Sequence, residues 1–136
     1  MQVLQVKSDQ REQMLDITRQ VQSVVRVQGW QEGVLFLYCT HTTAALTVNE
    51  SADPTVAEDI VRSLRKLVPL HGEYRHLEGN SDAHIKSSIL GCTAQVPLLQ
   101  GKLALGTWQG LFFAEFDGPR TRQVHVQLLQ SVQVQD

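Results

Sequence analysis

Gly33-Val34-Leu35-Phe36-Leu37-Tyr38-Cys39, followed four residues later by Ala44-Ala45-Leu46-Thr47-Val48, decides the fold of this chain. Both runs are too short for a buried helix, and the first is almost continuously apolar with aromatic and β-branched members. Such runs read as strands, and an unbroken apolar character predicts cover on both faces. Between the two lies Thr40-His41-Thr42-Thr43, which places an imidazole and three hydroxyls where a strand ends.

Outward from that pair, strand signals dominate. Gln2 to Lys7 is short and partly alternating. Leu103 to Trp108 and Leu111 to Phe116 flank Gln109-Gly110, which predicts a hairpin with a tight turn. Val124, Val126 and Leu128 alternate with Gln123, His125 and Gln127, a half-buried strand of period two. Three helices fit between the strands. Ile17, Val21, Val24 and Val25 share a helical face, and Gly29 is placed to stop it. Asp53 can cap a second helix with Pro54 in its first turn and Val56, Ile60, Leu64, Leu67 and Val68 as its apolar stripe. A shorter helix runs from Asp82 to Leu90 and ends at Gly91. Strands outnumber helices without regular βα alternation, so the expected fold is α+β: one domain over residues 1–136, a folded mixed or antiparallel sheet and about three helices.

Composition narrows the class of function. The chain has 136 residues, 42 % of them hydrophobic, enough for a core without disulfides or metals as staples. Twelve Lys and Arg stand against fourteen Asp and Glu, for a net charge of −2. That balance gives no basic footprint for nucleic acid and no polybasic stretch for a membrane surface. No apolar run approaches the length of a membrane span. The first residues lack the charged start and apolar middle of a signal peptide. Cys39 and Cys92 show no CxxC or Cys/His spacing and read as reduced thiols of a cytoplasmic protein.

Between the second and third helices, residues 69–81 form a polar stretch without periodicity that contains His71, Tyr74 and His76. Loops of this length in small domains are either functional or disordered, and the histidines and tyrosine favour function. His41, His76 and His84 each sit where an element meets a loop. Spacing leaves two readings open: a three-histidine metal site with one open position, or His41 satisfied in the core and the others solvated. His71 and His125 read as a turn residue and a polar-face residue. Asn49-Glu50 can close a turn or contribute an amide and a carboxylate. Ser81-Asp82-Ala83-His84-Ile85-Lys86-Ser87-Ser88 gathers a carboxylate, an imidazole, an ammonium and hydroxyls near a helix N-terminus, which suits a phosphate. The alternative is an i, i+4 salt bridge between Asp82 and Lys86. Trp108 can stack on a heteroaromatic ring or simply pack. Asp117 and Arg120 lie in a turn and are candidate ligands by proximity alone.

Together these motifs resemble the YjbQ family, small proteins described as secondary thiamine-phosphate synthases. The resemblance rests on His41 through Glu50, Asp53-Pro54-Thr55-Val56, His76 through Gly79, Ser81 through Gly91 and Gly106 through Gly110. It implies a homotrimer in which His41, His76 and His84 converge around a divalent metal such as zinc. It also implies that Asn49, Glu50, Asp82, Lys86, Ser87, Trp108 and Gln109 occupy the family's polar motif positions. The implied reaction joins hydroxymethylpyrimidine diphosphate to hydroxyethylthiazole phosphate and releases pyrophosphate. In that chemistry a metal acts as Lewis acid, with His84 among its ligands. Lys86 adds charge, and Thr42, Thr43, Ser87 and Ser88 donate hydrogen bonds. Trp108 stacks on the pyrimidine, and Glu50 serves as general base or as partner of a metal ligand.

Diphosphate chemistry usually recruits magnesium, whereas a three-histidine set prefers zinc. Two rivals follow: a metal-dependent hydrolase of a phosphorylated or heterocyclic metabolite, and a non-catalytic trimer that binds metal or a small ligand. An oligomer would also cover pairing groups left exposed by the strand around Val124 to Leu128.

Overall fold

A computed structural model describes residues 1–132. In chain order the elements are β1 (Gln2–Lys7), β2 (Gln13–Asp16), α1 (Thr18–Gln28), β3 (Gly33–Cys39), β4 (Ala44–Glu50), α2 (Pro54–Leu67), α3 (Ser81–Leu90), β5 (Thr93–Leu99), β6 (Lys102–Leu103), β7 (Gln109–Glu115) and β8 (Thr121–Leu129). They form a five-stranded sheet in the order β1-β8-β3-β5-β6 and a three-stranded sheet in the order β2-β7-β4. Every pairing is antiparallel. This is the expected α+β class.

The helix boundaries follow from local chemistry. Gly29 takes a left-handed φ of 66° and its N–H returns to the carbonyls of Val25 and Arg26, closing α1. Asp53 accepts from the Thr55 N–H at 3.0 Å, and Pro54 opens α2 where no donor is needed. No helix among the described residues is long and apolar enough to cross a membrane.

The core lies between the sheets. Leu35, Leu37, Val96, Leu98, Val124 and Val126 of the larger sheet meet Leu46, Leu111 and Phe113 of the smaller one, with Ile17, Val21 and Val25 of α1 at the margin. A second cluster packs Ala45, Ala114 and Phe116 against Ala83 of α3 and Leu64 of α2. The smaller sheet is therefore buried on both faces. Cover on both faces had been expected of β3 instead. There Leu35, Leu37 and Cys39 are buried while Val34 and Tyr38 are 36 % and 42 % exposed.

The expected hairpin at Gln109-Gly110 does not form. Both residues lie inside β7, which is flanked by β2 and β4, while Leu103 belongs to the short β6 beside β5. Phe112-Phe113-Ala114 sends apolar groups to both faces, so β7 needs a central position with two partners. Gly110 serves close approach rather than a turn, because a Cβ there would lie 2.6 Å from the Ser51 Cβ. Strand β5 is absent from the sequence reading, although its alternating burial runs unbroken through Pro97, which takes an outward position. In the structure Pro97 faces Val34 in a non-hydrogen-bonded pair, where β3 makes no use of the missing N–H. Nor is β8 an edge. It lies between β1 and β3 and leaves no unpaired ladder over Val124 to Val126.

Candidate active site

The site is built on two buried ion-pair networks. Arg122 has the strand parity of Val124 and Val126, so it points inward, where it is only 2 % exposed. It meets Glu115 at the end of β7, fully buried, through Nε to Oε1 at 2.9 Å and a second bond from Nη2 to Oε2. Arg122 Nη2 also donates to Thr43 Oγ1 at 2.8 Å, and Ser8 Oγ donates to Glu115 Oε1 at 2.8 Å. Burial alone would raise the Glu115 pKa, but the bonds from Arg122 and Ser8 outweigh it and hold the carboxyl below its ordinary range. The second network centres on Asp82. Arg11 grips it with two bonds of 3.1 and 2.9 Å, and Lys86 Nζ lies 2.8 Å away, both members of that i, i+4 pair being fully buried. Burial again acts to raise the pKa, and the cations outweigh it. Glu12 lies 3.4 Å from Lys86 and 3.1 Å from Arg65 on α2.

These networks fix the loops that carry the candidate chemistry. The first pins Thr43 and with it the turn at His41. The second holds α3 in place, and Ser87 Oγ adds a 2.6 Å bond to the Ala44 carbonyl at the start of β4. His84 on α3 is thereby set opposite His41 across a cleft of about 310 Å³, walled also by Thr42, Asn80, Asp117 and Arg120. Asn80 Nδ2 donates to Asp117 at 2.8 Å, whereas its Oδ1 is buried without a partner among the described residues. Arg120, which also lines the cleft, spends its Nε–H and one Nη2–H on Asp117, leaving its other guanidinium donors without a partner among the described residues.

His76 meets His84 edge to face, with ring centroids 5.4 Å apart. Of the three expected histidines, His76 thus touches His84 and His41 shares the cleft with it. They do not converge on one point. His41 Nε2 accepts the Gln123 N–H at 2.9 Å, so its lone pair is committed to closing the end of β8. Burial, then the charge of Arg122, lowers its pKa and keeps it neutral. Among the described residues no group of three His, Cys, Asp or Glu side chains has metal-holding geometry.

The other expected residues divide by place. Thr43 and Ser87 are engaged in the framework just described, and Ser88 Oγ bonds back to the His84 carbonyl. Lys86 and Asp82 form their mutual ion pair, fully buried, and are not among the residues that line the cleft. Asn49, Glu50, Trp108 and Gln109 stand at the opposite end of the small sheet, where Glu50 pairs with Gln109 while Ala44 pairs with Glu115. Seven residues of strand separate the two ends, about 20 Å. Asn49 and Glu50 end β4 rather than closing a turn, with Asn49 Oδ1 accepting the adjacent Glu50 N–H at 2.7 Å, and Trp108 is 63 % exposed. Asn80, Arg122 and Glu115 were not among the expected site residues. The inward parity of Arg122 in an otherwise apolar strand face was the readable signal for it.

A two-sheet α+β protein with a polar cleft at one end of the smaller sheet defines the class. Residues 2–131 match the family described as UPF0047 protein YjbQ-like, and the chain belongs to it. It is 48 % identical to the UPF0047 protein of Methanocaldococcus jannaschii, over 92 % of this chain and 91 % of that one. It is 46 % identical to UPF0047 protein YugU of Bacillus subtilis, over 93 % and 96 %. Among solved structures, a YjbQ/UPF0047 family protein from Clostridium acetobutylicum superposes with a TM-score of 0.92 at 46 % identity, covering 95 % of this chain and all of that one (100 %). A conserved hypothetical protein from Thermus thermophilus gives 0.90 at 45 % identity, with coverages of 95 % and 100 %.

Proposed function

We propose that this chain is a cytoplasmic enzyme acting on a phosphorylated small molecule held between His41, Asn80, His84 and Arg120. The reaction that suits the family resemblance is the joining of hydroxymethylpyrimidine diphosphate to hydroxyethylthiazole phosphate with loss of pyrophosphate. The observation that carries this reading is the cleft itself. Arg120 with unspent guanidinium donors, the His84 imidazole on α3 and the His41 turn line one cleft from separate chain segments, and Asn80, whose amide oxygen is buried without a partner among the described residues, lines it too. Arg120 and His84 would donate to the departing diphosphate oxygens, where charge builds in the transition state. Lys86 enters this reading as the residue that fixes α3, and Asp82 as its anchor.

The expected result is thiamine phosphate formed by the wild type. His84→Ala should lose roughly 10²-fold or more in kcat, the scale for removing one such donor. Release of inorganic phosphate without thiamine phosphate would establish the hydrolase instead, and phosphate binding without turnover the binding module.

A divalent metal belongs to the same proposal, zinc by donor type and magnesium as the alternative. His76 and His84 are in contact and His41 shares the cleft, so the three imidazoles are the groups that would hold it, once His41 gives up the Gln123 N–H. Its chemistry there would be that of a Lewis acid. The number three in the homotrimer comes from the family resemblance alone, and association of copies is supported by a different feature. The outer face of the larger sheet carries Val3, Val34, Phe36, Tyr38, Leu99 and Leu129, and Lys7 is the one formally charged residue among the outward positions of β1, β3, β5 and β8. Sedimentation equilibrium should then report about three times the 15.2 kDa chain mass, with zinc content depleted in His84→Ala. A monomer at micromolar concentration, or unchanged zinc in every histidine variant, would sink the respective part.

A further inference from the structure

Cys39 ends β3 and Cys92 stands one residue before β5. The register of these strands runs from Gly33 opposite Leu98 to Tyr38 opposite Thr93, so the next pair outward is Cys39 opposite Cys92. The Cys39 N–H donates to the Cys92 carbonyl at 2.7 Å, which marks them as a hydrogen-bonded pair. Residues so paired have Cα atoms about 5.5 Å apart, close to the commonest separation in disulfides. Opposed residues of a ladder point to the same face of the sheet, and Cys92 continues this register one residue outside β5, in a bend. The two thiols are free, Cys39 buried and Cys92 exposed. Cys39 Sγ lies 3.7 Å from the His41 carbonyl, within reach of a weak S–H bond to the residue that walls the cleft.

We propose that Cys39 and Cys92 form a reversible intramolecular disulfide that shifts the His41 end of the cleft. The oxidant is a low-molecular-weight disulfide. The exposed Cys92 thiolate attacks one sulfur of it, expels one small thiolate and becomes a mixed disulfide. Cys39 then gives its proton to solvent and attacks the Cys92 sulfur, expelling the second small thiol. Two protein thiols are oxidised and one small disulfide is reduced to two thiols. Exposure sets the order of attack: Cys92 is open to the small disulfide, whereas the buried Cys39 is placed to reach only the sulfur of its strand partner. Oxidation removes the S–H donor from the His41 carbonyl and turns Sγ toward Cys92, so the turn at His41 loses one of the contacts that hold it.

The test is titration of the full chain with oxidised glutathione, read by intact mass, by alkylation after denaturation, and by the His41 imidazole resonance. The expected product is a monomer lighter by two hydrogens that alkylates at neither cysteine, shows a displaced His41 signal and reverts with dithiothreitol. Glutathione retained on Cys92 while Cys39 still alkylates, or a disulfide-linked dimer, would overturn the pairing. An unmoved His41 signal in the oxidised monomer would overturn the link to the cleft. Cys92→Ser, at an exposed position, should leave Cys39 alkylatable after the same treatment. Protection of Cys39 in that variant would equally defeat the proposal.

Discussion

Arg122→Met should lower the unfolding free energy by about 3–5 kcal/mol, the scale for removing one partner of a buried ion pair. Methionine keeps much of the volume, so the loss is electrostatic rather than a cavity. Glu115 would be left fully buried with Ser8 and the Asp117 N–H as its remaining donors, and Thr43 would lose the bond that holds the His41 turn. A typical domain has only about 5–15 kcal/mol in hand, so the variant sits near the edge of folding.

The pH dependence supplies a sharper signature. In the wild type the Glu115 pKa is depressed overall, because the bonds from Arg122 and Ser8 outweigh burial. Its contribution is therefore complete above the unfolded value of about 4.3 and is lost as pH falls through the folded value. Without Arg122, burial dominates and the folded pKa rises above the unfolded one. The sign then reverses, and the variant should recover stability as pH falls from 8 toward 5. Urea unfolding at both pH values would show it. A loss under about 1 kcal/mol at pH 8, the scale of an exposed pair, would mean that water reaches the pair.

What the sequence disclosed and what it hid divide along one physical line. Helices announce themselves through local spacing and caps, so Gly29, Asp53 and Pro54 marked boundaries that the structure keeps. Strand partners are chosen at long range, and there the local signs misled. Gln109-Gly110 carries turn residues, yet the flanking aromatic run requires partners on both sides, and Gly110 is small because Ser51 and Thr18 crowd it. Pro97, in a strand the sequence reading did not include, occupies a pair with Val34 that needs no donor from it. The site was legible as a set of residue types and not as a place. His41 and His84 do share a cleft, but Asn80 was invisible because its distinguishing property, a buried unpaired oxygen, exists only in three dimensions. Glu50 and Trp108 belong to motifs as clear as that of His84 and still stand a whole strand away.

Lys86 is where these two levels meet, because motif logic makes it a charge for the substrate and the structure makes it a buried strut. Its ammonium is fully buried against Asp82 and Glu12, and it is absent from the walls of the cleft. Lys86→Met should therefore cost about 3 kcal/mol, the lower end for a buried pair, since Arg11 stays on Asp82. Adding Asp82→Asn should destabilise by less than the sum of the two single changes, as residues in one network do. The kinetic consequence should run through position. His84 lies on the same helix, so a loosened α3 spreads its orientations and lowers kcat without a matching change in KM. Lowering the temperature, which reseats α3, should restore part of it. A true charge donor would behave otherwise. Its removal would leave stability nearly intact and depress kcat by a hundredfold or more at every temperature. Chemical denaturation and steady-state kinetics on the same preparations of Lys86→Met decide between a strut and a catalyst, because only the strut ties the two losses together.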